Sequence, residues 1–250
     1  MLRSQNGKML NGLDLFSGIG GLSVALSEWV RPRIYCEIDP YCQGVLLSRQ
    51  NRGYIGTAPI WSDVSNLEGN RLRHHIDIIY GGFPCQDISI GGLGKGLAGE
   101  RSGLFFEIVR LAKEIKPKFI FLENVPAILT RGGSTVVHTL TKMGYDCRWC
   151  VVSSSKHVNQ RRERWFLLAK SSCMRQQERP RQRIQSIRET SLDAESGNYK
   201  LSDMESWGTY ARSMRKDHGI PNRVDRVRAL GNAVVPEQAK EAFKILMGIK

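Results

Sequence analysis

The chain lacks any apolar run long enough to cross a membrane. Its first eight residues also contain no apolar segment of the kind that forms the core of a signal peptide. These two absences lead us to expect a cytoplasmic protein that does not associate with membranes through a spanning segment.

Cysteine is sparse and shows no metal-binding pattern. The six cysteines fit a reducing compartment, in which they would remain thiols. Cys147 and Cys150 have CxxC spacing, but no second pair or histidine cluster completes a set of zinc ligands. They also lie in an alternating, strand-like run over 145–155. We therefore interpret them as packing residues and expect no metal.

Acidic residues are too few to balance the basic ones. The chain has 37 Lys and Arg against 24 Asp and Glu, which gives a formal net charge of +13. Such an excess favours a polyanionic partner, with nucleic acid first and an anionic membrane surface second. A basic surface that serves only solubility is the alternative.

The remaining composition is that of a globular protein of 250 residues with one sizeable core. Strand-like and helix-like segments alternate from residue 10 to about 169, which favours an α/β fold with a doubly wound, mostly parallel sheet. We predict strands at 13–16, 33–38, 76–81, 118–123, 145–153 and 165–169, and helices at 20–30, 40–50, 104–115 and 235–249.

The alternation divides the chain into three parts. Residues 1–169 form the predicted catalytic and cofactor-binding domain, and 222–250 return to it. Between them, 170–221 are polar and carry five arginines between positions 175 and 188. This part is a candidate target-recognition region that faces DNA, and a solvated linker is the alternative.

A glycine-rich turn over 14–21 joins the first strand to the first helix. Glycine there allows close approach of the backbone to a ligand, and a helix amino terminus offers free N–H groups. The turn is not the G-x-G-x-x-G fingerprint, because Ser23 occupies the place of the third glycine. Glu37 follows nineteen residues after Gly18, about where an acid would bind ribose hydroxyls. The combination favours an adenosine-type cofactor.

Two reactive side chains follow buried strands. Cys85 comes after the run at 76–81, and Glu123 ends the run at 118–123. Alone, the cysteine would be a small buried hydrophobe and the glutamate a solvated or capping residue. Each is flanked by a proline that fixes the direction of the strand exit, and together they suggest covalent catalysis.

Six blocks, in this order, resemble the DNA (cytosine-5)-methyltransferases. They are Asp14 to Gly21, Glu37-Ile38-Asp39, Pro84-Cys85-Gln86, Glu123-Asn124-Val125, Gln160 to Arg164, and Gly231 to Pro236. The resemblance covers nearly everything except about 170–221. It implies a Rossmann-like, S-adenosylmethionine-dependent enzyme that methylates C5 of a cytosine flipped out of double-stranded DNA.

The resemblance also assigns roles in the reaction. Cys85 would be the thiolate that adds to C6, and Glu123 would contact N3 of the base with a raised pKa. Arg162 and Arg164, on one face of an extended segment, would contact the base and order the catalytic loop; surface arginines are the alternative. Further DNA contacts would come from Gln86 and Ser89. The glycine-rich segment 86–103 would close over the base, whereas an ordinary surface loop is the alternative.

The implied cofactor is S-adenosyl-L-methionine, and no metal is required. The residues that would line its pocket are Phe16, Gly18, Ile19, Gly20, Gly21, Glu37, Ile38, Asp63, Pro84, Leu104 and Asn232. Among them, Glu37 would hold the ribose hydroxyls and Asp63 the adenine amino group.

The chain departs from the family in one respect. Larger members have a long variable region and another helical block before the last motif, and neither is recognisable here. This compact layout is similar to phage- and prophage-borne members, and we expect a monomer. Two alternatives stay open: methylation of RNA, since one branch of the family modifies tRNA, and DNA binding without turnover.

Overall fold

The structure is a computed structural model that describes residues 9–83, 103–156, 162–172 and 233–249, together with residues 225, 229 and 231. Its strands are β1 (Leu10–Leu15), β2 (Val30–Cys36), β3 (Ile60–Trp61), β4 (Ile78–Gly82), β5 (Phe119–Asn124), β6 (Tyr145–Ser153) and β7 (Glu163–Ser171). Its helices are α1 (Gly21–Ala25), α2 (Pro40–Asn51), α3 (Gly103–Ile115), α4 (Ile128–Arg131), α5 (Gly133–Lys142) and α6 (Pro236–Met247). In this part of the chain, no helix is long and apolar enough to span a membrane.

The strands form one seven-stranded sheet in the order β3-β2-β1-β4-β5-β7-β6. The pairs from β3 to β5 are parallel, and β7 is antiparallel to both of its neighbours. The order reverses direction at β1, so the crossovers on the two sides of β1 place their helices on opposite faces of the sheet. The predicted doubly wound, mostly parallel α/β fold is confirmed.

A separate hydrophobic layer covers each face of the sheet. On one face Ile108 of α3 and Val136 of α5 pack with Leu13 and Ile120 of the strands. On the other face the core contains Leu22 of α1 and Phe243 of α6. The central strands are buried on both sides, which explains their continuous apolar sequences.

The carboxyl-terminal helix α6 returns to the sheet through a buried glutamine. Gln238 Nε2 donates hydrogen bonds of 2.7 Å to the main-chain oxygens of Val152 and Arg162. Phe243 of the same helix lies with its ring centroid 5.3 Å from that of Trp29. These contacts fix α6 beside the ends of β6 and β7.

The predicted first helix was too long. We expected it over 20–30, but α1 ends at Ala25 and β2 already begins at Val30. Leu26 and Trp29 lie in the turn that follows α1, and both are buried in the hydrophobic layer that contains α6. Their helical spacing therefore reflects burial in a turn and not a longer helix. The paired register of β2 shifts between Gly12 and Leu13 of β1, next to Pro32, which has no N–H to donate.

Most of the other elements match within a few residues. The predicted helix at 40–50 corresponds to α2. It begins where expected because Pro40 occupies its first turn and the Asp39 side chain accepts hydrogen bonds from the N–H groups of Tyr41 and Cys42. The short strand β3 and the helices α4 and α5 were not predicted.

The two cysteines of the CxxC sequence point to opposite faces of edge strand β6. Cys147 packs against the layer that contains α3, whereas Cys150 packs against the layer that contains α6. Residues three apart in a strand face opposite sides, so these two thiols cannot bind the same metal ion. Among the described residues, no cluster of three metal-ligating side chains occurs.

Candidate active site

The carboxyl ends of four parallel strands meet at one edge of the sheet. The pairing of β1 with β2 and β4, and of β4 with β5, brings together the residues that follow each strand. These residues are Phe16, Glu37, Phe83 and the strand-end pair Glu123 and Asn124. In α/β sheets, ligands bind in the crevice at this edge.

The glycine-rich turn after β1 is held open in an unusual backbone conformation. Phe16, Gly18 and Gly20 all have positive φ angles, of 54°, 53° and 84°. Such angles are rare for a residue with a side chain, and Phe16 adopts one directly after a buried strand. A Cβ atom built on Gly18 would meet no atom of the described residues within 4 Å, so in that part of the chain open space lies beside the turn.

Glu37 closes one side of this turn. Its Oε2 atom accepts a hydrogen bond of 2.7 Å from the Gly18 N–H, and Oε1 accepts one of 2.9 Å from the Asp39 N–H. Each carboxylate oxygen keeps a second lone pair for a further donor. The Glu37 carboxylate can therefore accept hydrogen bonds from the hydroxyl groups of an adenosine-type ligand beside the open, glycine-lined turn, so the residues present fit S-adenosylmethionine.

Other predicted cofactor residues lie around the same strand ends. Ile38 is 72% exposed, although it is a large apolar residue. Asp63 follows β3, whose Trp61 accepts a main-chain hydrogen bond from Glu37. The Ser65 N–H and hydroxyl both donate to the Asp63 carboxylate, which lowers its pKa. Leu104, at the start of α3, packs partly buried against the same layer as Phe16.

Gly21 marks the contact between this turn and the last sequence block. A Cβ atom at Gly21 would lie 2.9 Å from Val234 Cγ1 and 3.0 Å from the Val234 main-chain oxygen. Because one of these atoms belongs to the backbone, a larger residue would displace the segment before α6. The close approach places the 233–235 segment against the turn.

Glu123 and Arg164 form a largely buried ion pair at the same edge. Arg164 Nε lies 2.7 Å from Glu123 Oε1, and each side chain is 14% exposed. Burial raises the pKa of Glu123 above its ordinary value, although the charges of Arg164 and Arg162 act in the opposite direction. The carboxyl group of Glu123 therefore holds its proton more readily than that of a surface acid does.

Arg162 stands next to this pair without bonding to the carboxylate. Its guanidinium donates a hydrogen bond of 2.9 Å to the Gly231 main-chain oxygen, in the last sequence block. Burial and the neighbouring Arg164 charge lower the pKa of Arg162. The structure therefore brings together three of the predicted catalytic residues, namely Glu123, Arg162 and Arg164.

The strand end that leads towards Cys85 is fixed by Glu123 and Asn124. Gly82 lies opposite Glu123 in the paired strands, and a Cβ atom there would be 2.7 Å from Glu123 Oε2. Asn124 Nδ2 donates a hydrogen bond of 2.8 Å to the Phe83 main-chain oxygen. No role was predicted for Gly82 or Asn124, although both lie in or next to recognised sequence blocks.

A buried polar network below the glycine-rich turn was also not predicted. Ser23 Oγ donates to Asp14 Oδ2 over 2.6 Å and lies 2.7 Å from the Tyr80 hydroxyl. The second oxygen of Asp14, Oδ1, has no hydrogen-bond partner among the described residues. Burial, opposed by the hydrogen bond from Ser23, raises the pKa of Asp14 to about 7.

Several predicted site residues lie outside the described residues. They are Pro84, Cys85, Gln86, Ser89 and Asn232, together with Gln160 of the fifth block. Their roles stay predictions from the sequence. The structure describes Phe83, Arg162 and Gly231, which lie within two positions of Pro84, Gln160 and Asn232.

Comparisons with known proteins identify the family. The family model for C-5 cytosine-specific DNA methylase matches residues 10–213. The chain is 31% identical over 233 residues to the Type II methyltransferase M.CviJI of Paramecium bursaria Chlorella virus IL3A, covering 92% of this chain and 58% of that protein. It spans about half the length of other Type II methyltransferases that it matches, among them 50% of M.HhaI of Haemophilus parahaemolyticus.

Solved structures agree with this assignment. A putative DNA modification methyltransferase encoded within an E. coli prophage matches with a TM-score of 0.54 and 27% identity, over 66% of this chain and 48% of that one. The S. pombe Dnmt2 methyltransferase shares the fold with a TM-score of 0.57 and 20% identity, over 80% of this chain and 63% of that one. The predicted resemblance is confirmed: the chain belongs to the C-5 cytosine-specific DNA methylase family.

Proposed function

We propose that this protein transfers a methyl group from S-adenosyl-L-methionine to C5 of cytosine in double-stranded DNA. The observation that carries the proposal is the buried ion pair between Glu123 and Arg164 at the carboxyl edge of the sheet. It places a carboxyl group of raised pKa opposite Gly82, three residues before Cys85. The family supports the reaction class, and the local chemistry supports these roles.

The cofactor would occupy the open space beside the glycine-rich turn. Gly18, Ile19, Gly20 and Gly21 would face its methionine part, with Phe16 against the adenine or sugar. Glu37 would accept hydrogen bonds from the ribose hydroxyls, and Ile38, Asp63, Pro84, Leu104 and Asn232 would complete the pocket. Bound there, S-adenosylmethionine would supply an electrophilic methyl group.

The cysteine would make the cytosine ring reactive. C5 of cytosine is a weak nucleophile, and addition of the Cys85 thiolate to C6 converts the C5–C6 unit to an enamine-like form. Glu123 would hold a proton at N3, which accepts the electron pair displaced by this addition. After methylation, loss of the C5 proton to a base would break the Cys85–C6 bond and return the thiolate.

Arginines would hold the base and the DNA. Arg164 would keep Glu123 oriented, and Arg162 would use the remaining guanidinium donors on a base rotated out of the duplex. Gln86 and Ser89 would add DNA contacts from the 86–103 segment. The formal charge of +13 would supply phosphate contacts, so DNA affinity should fall steeply with added salt.

The proposal also assigns a role to each part of the chain. Residues 1–169 and 222–250 would form the catalytic unit, and 170–221 would read the target sequence. The relatives that the chain matches include a viral and a prophage-encoded protein, which supports the predicted similarity to phage- and prophage-borne members.

The direct test uses labelled S-adenosylmethionine with either duplex DNA or tRNA as acceptor. We expect label in DNA with the parent protein and with Cys147→Ser, whose thiol packs on the far strand β6, and no label with Cys85→Ser. Label in tRNA alone would contradict the proposal in favour of RNA methylation. DNA binding without any label would indicate a binding protein that lacks turnover.

A second experiment tests the covalent step. Duplex DNA that carries 5-fluorocytosine has no C5 proton to lose, so the Cys85–C6 bond should persist after methylation. We expect a protein–DNA adduct that survives denaturing electrophoresis with the parent protein and is absent with Cys85→Ser. Turnover on ordinary DNA with no adduct on the fluorinated DNA would contradict the covalent mechanism while leaving methylation in place.

A further inference from the structure

Helix α2 contacts the main chain on both sides of the proposed cofactor pocket. Gln43 Nε2 donates a hydrogen bond of 2.6 Å to the Glu37 main-chain oxygen. Six residues further along, Arg49 Nη1 donates a hydrogen bond of 2.7 Å to the Ile19 main-chain oxygen in the glycine-rich turn. The same helix therefore bonds to the segment that carries the acid and to the turn that faces it.

The helix is itself firmly attached to the sheet. Asp39 caps its first turn, and Leu46 on its inner side is fully buried with Tyr35 and Ile55. A Cβ atom on Gly20 would lie 3.1 Å from Leu46 Cδ2, so the turn rests directly on this side chain. A group that projects from α2 can thus hold the turn at a fixed distance from the strands.

Ile19 is the residue of the turn that most needs such support. It lies between Gly18 and Gly20, both in the left-handed region, and glycine is the residue with the largest conformational freedom to lose. The Gly18 N–H on one side is held by Glu37, which is also the proposed partner of the ribose. The hydrogen bond from Arg49 to the Ile19 oxygen does not involve that acid. Its donor is a charged guanidinium, which makes the bond short and strong.

We propose that Arg49 is a positioning residue of this enzyme, which fixes the glycine-rich turn in the conformation that binds the cofactor. The inference rests on the proposed function, because it takes 18–21 as the part of the pocket that faces the methionine moiety. Preorganisation of a binding loop raises affinity by reducing the conformational freedom that is lost on binding, so removal of this bond weakens cofactor binding without touching the reacting atoms.

Arg52, the residue that caps the carboxyl end of α2, provides a matched control. It lies three residues after Arg49, and it is exposed. Its substitution removes the same charge at the end of the same helix while leaving the bond to Ile19 in place. Comparison of Arg49→Met with Arg52→Met therefore separates the effect of losing the hydrogen bond to Ile19 from the effect of losing one positive charge.

The test measures binding of S-adenosylhomocysteine by calorimetry and the steady-state rate with duplex DNA. We expect Arg49→Met to weaken binding on the order of tenfold and to raise KM for S-adenosylmethionine similarly, with kcat within about twofold. Arg52→Met should match the parent protein in both. Arg49→Lys, which keeps a charged donor, should recover part of the affinity.

The outcomes distinguish this inference from the proposed function. Unchanged binding by Arg49→Met, or by the milder Arg49→Gln if the first variant does not fold, would overturn the role of Arg49. A loss of kcat with unchanged KM would overturn it as well. Absence of S-adenosylhomocysteine binding by the parent protein would instead contradict the proposed cofactor, and the role of Arg49 with it.

Discussion

The side-chain amide of Asn124 bonds to the main-chain oxygen of Phe83, two residues before Cys85. The donor and acceptor are 2.8 Å apart, and Asn124 is 3% exposed. The side-chain oxygen of Asn124 in turn accepts a hydrogen bond from the Val125 N–H. Asn124 therefore joins the end of β5, which carries Glu123, to the end of β4, from which the chain continues to Cys85.

Replacement of Asn124 should reduce methyl transfer more than cofactor binding. Asn124→Leu removes both hydrogen bonds and leaves the Phe83 oxygen without this donor, which should cost about 1–3 kcal/mol of stability. Because misplacement of a reacting group is expensive, we expect kcat to fall by about tenfold or more. Chemical denaturation and single-turnover rates measure the two effects.

Tyr145→Phe is the matched control for this variant. The Tyr145 hydroxyl donates a buried hydrogen bond of 2.9 Å to the Pro117 main-chain oxygen, at the opposite edge of the sheet. Its loss should lower stability by about 1 kcal/mol and leave kcat unchanged. Equal losses of kcat in the two variants would contradict a positioning role for Asn124.

Local signals account for the parts of the fold that the sequence predicts well. The start of α2 depends on Asp39 and Pro40, which cap and open the helix through contacts within three residues. Each central strand is an uninterrupted apolar run because it is covered on both faces. The first helix was predicted too long because Leu26 and Trp29 are buried against α6, more than two hundred residues away in the chain.

The site depends more on strand order than on local sequence. Glu123 meets Arg164 because β7 inserts antiparallel between β5 and β6, and no periodicity in the sequence reports that order. Tyr80 reaches Ser23 across 57 positions, and Arg49 reaches Ile19 across 30. No regular spacing in the sequence predicts such contacts. The sequence therefore indicated the reacting residues but not the side chains that position them.

Glu123→Gln should abolish proton donation while keeping the shape of the site. The amide oxygen can still accept from Arg164, but it has no proton of suitable acidity to deliver. We expect kcat/KM to fall by about a hundredfold or more. Folding should be preserved, and the unfolding midpoint of this variant measures it.

The same variant should alter the pH profile on its alkaline side. Burial raises the pKa of Glu123, and the group donates only while protonated, so its contribution is present below that pKa and is lost as pH rises through it. The descending limb of kcat/KM should therefore be present in the parent protein and absent in Glu123→Gln. Identical profiles in the two proteins would contradict an acid role for Glu123.

Arg164→Met should destabilise the protein by leaving a buried carboxylate without its partner. Loss of one member of a buried ion pair costs about 3–5 kcal/mol when the other stays charged. The arginine lowers the pKa of Glu123, so its removal should raise that pKa further and move the alkaline limb to higher pH. Denaturant unfolding at several pH values measures the loss, which should be larger at high pH than at low pH.

The double variant Glu123→Gln with Arg164→Met separates the effect of the unpaired Glu123 charge from the effect of losing the packing of the Arg164 side chain. With no carboxylate to bury, much of the stability lost in Arg164→Met should return. If the double variant is less stable than Arg164→Met alone, packing of the arginine stem, and not its charge, is what the single substitution removes.

Asp14 gives a pH dependence of stability that has the opposite sign to that of a paired surface acid. Its folded-state pKa, about 7, lies above the ordinary value of 3.8 because the carboxyl is buried. Between these values the folded protein binds a proton that the unfolded chain has released. The contribution of Asp14 to stability is therefore most favourable below the lower value, declines as pH rises towards about 7, and is then constant.

Asp14→Asn should remove this decline. The amide oxygen can still accept from Ser23, and the side chain cannot ionise. Relative to the variant, the parent protein should lose on the order of 4 kcal/mol between acid and neutral pH. Urea unfolding in buffers from pH 5 to pH 8, with the exposed Glu68→Gln as control, follows the upper part of that change. A constant difference between the two proteins over this range would show that the Asp14 carboxylate is charged throughout, and that the polar network with Ser23 and Tyr80 solvates it in place of water.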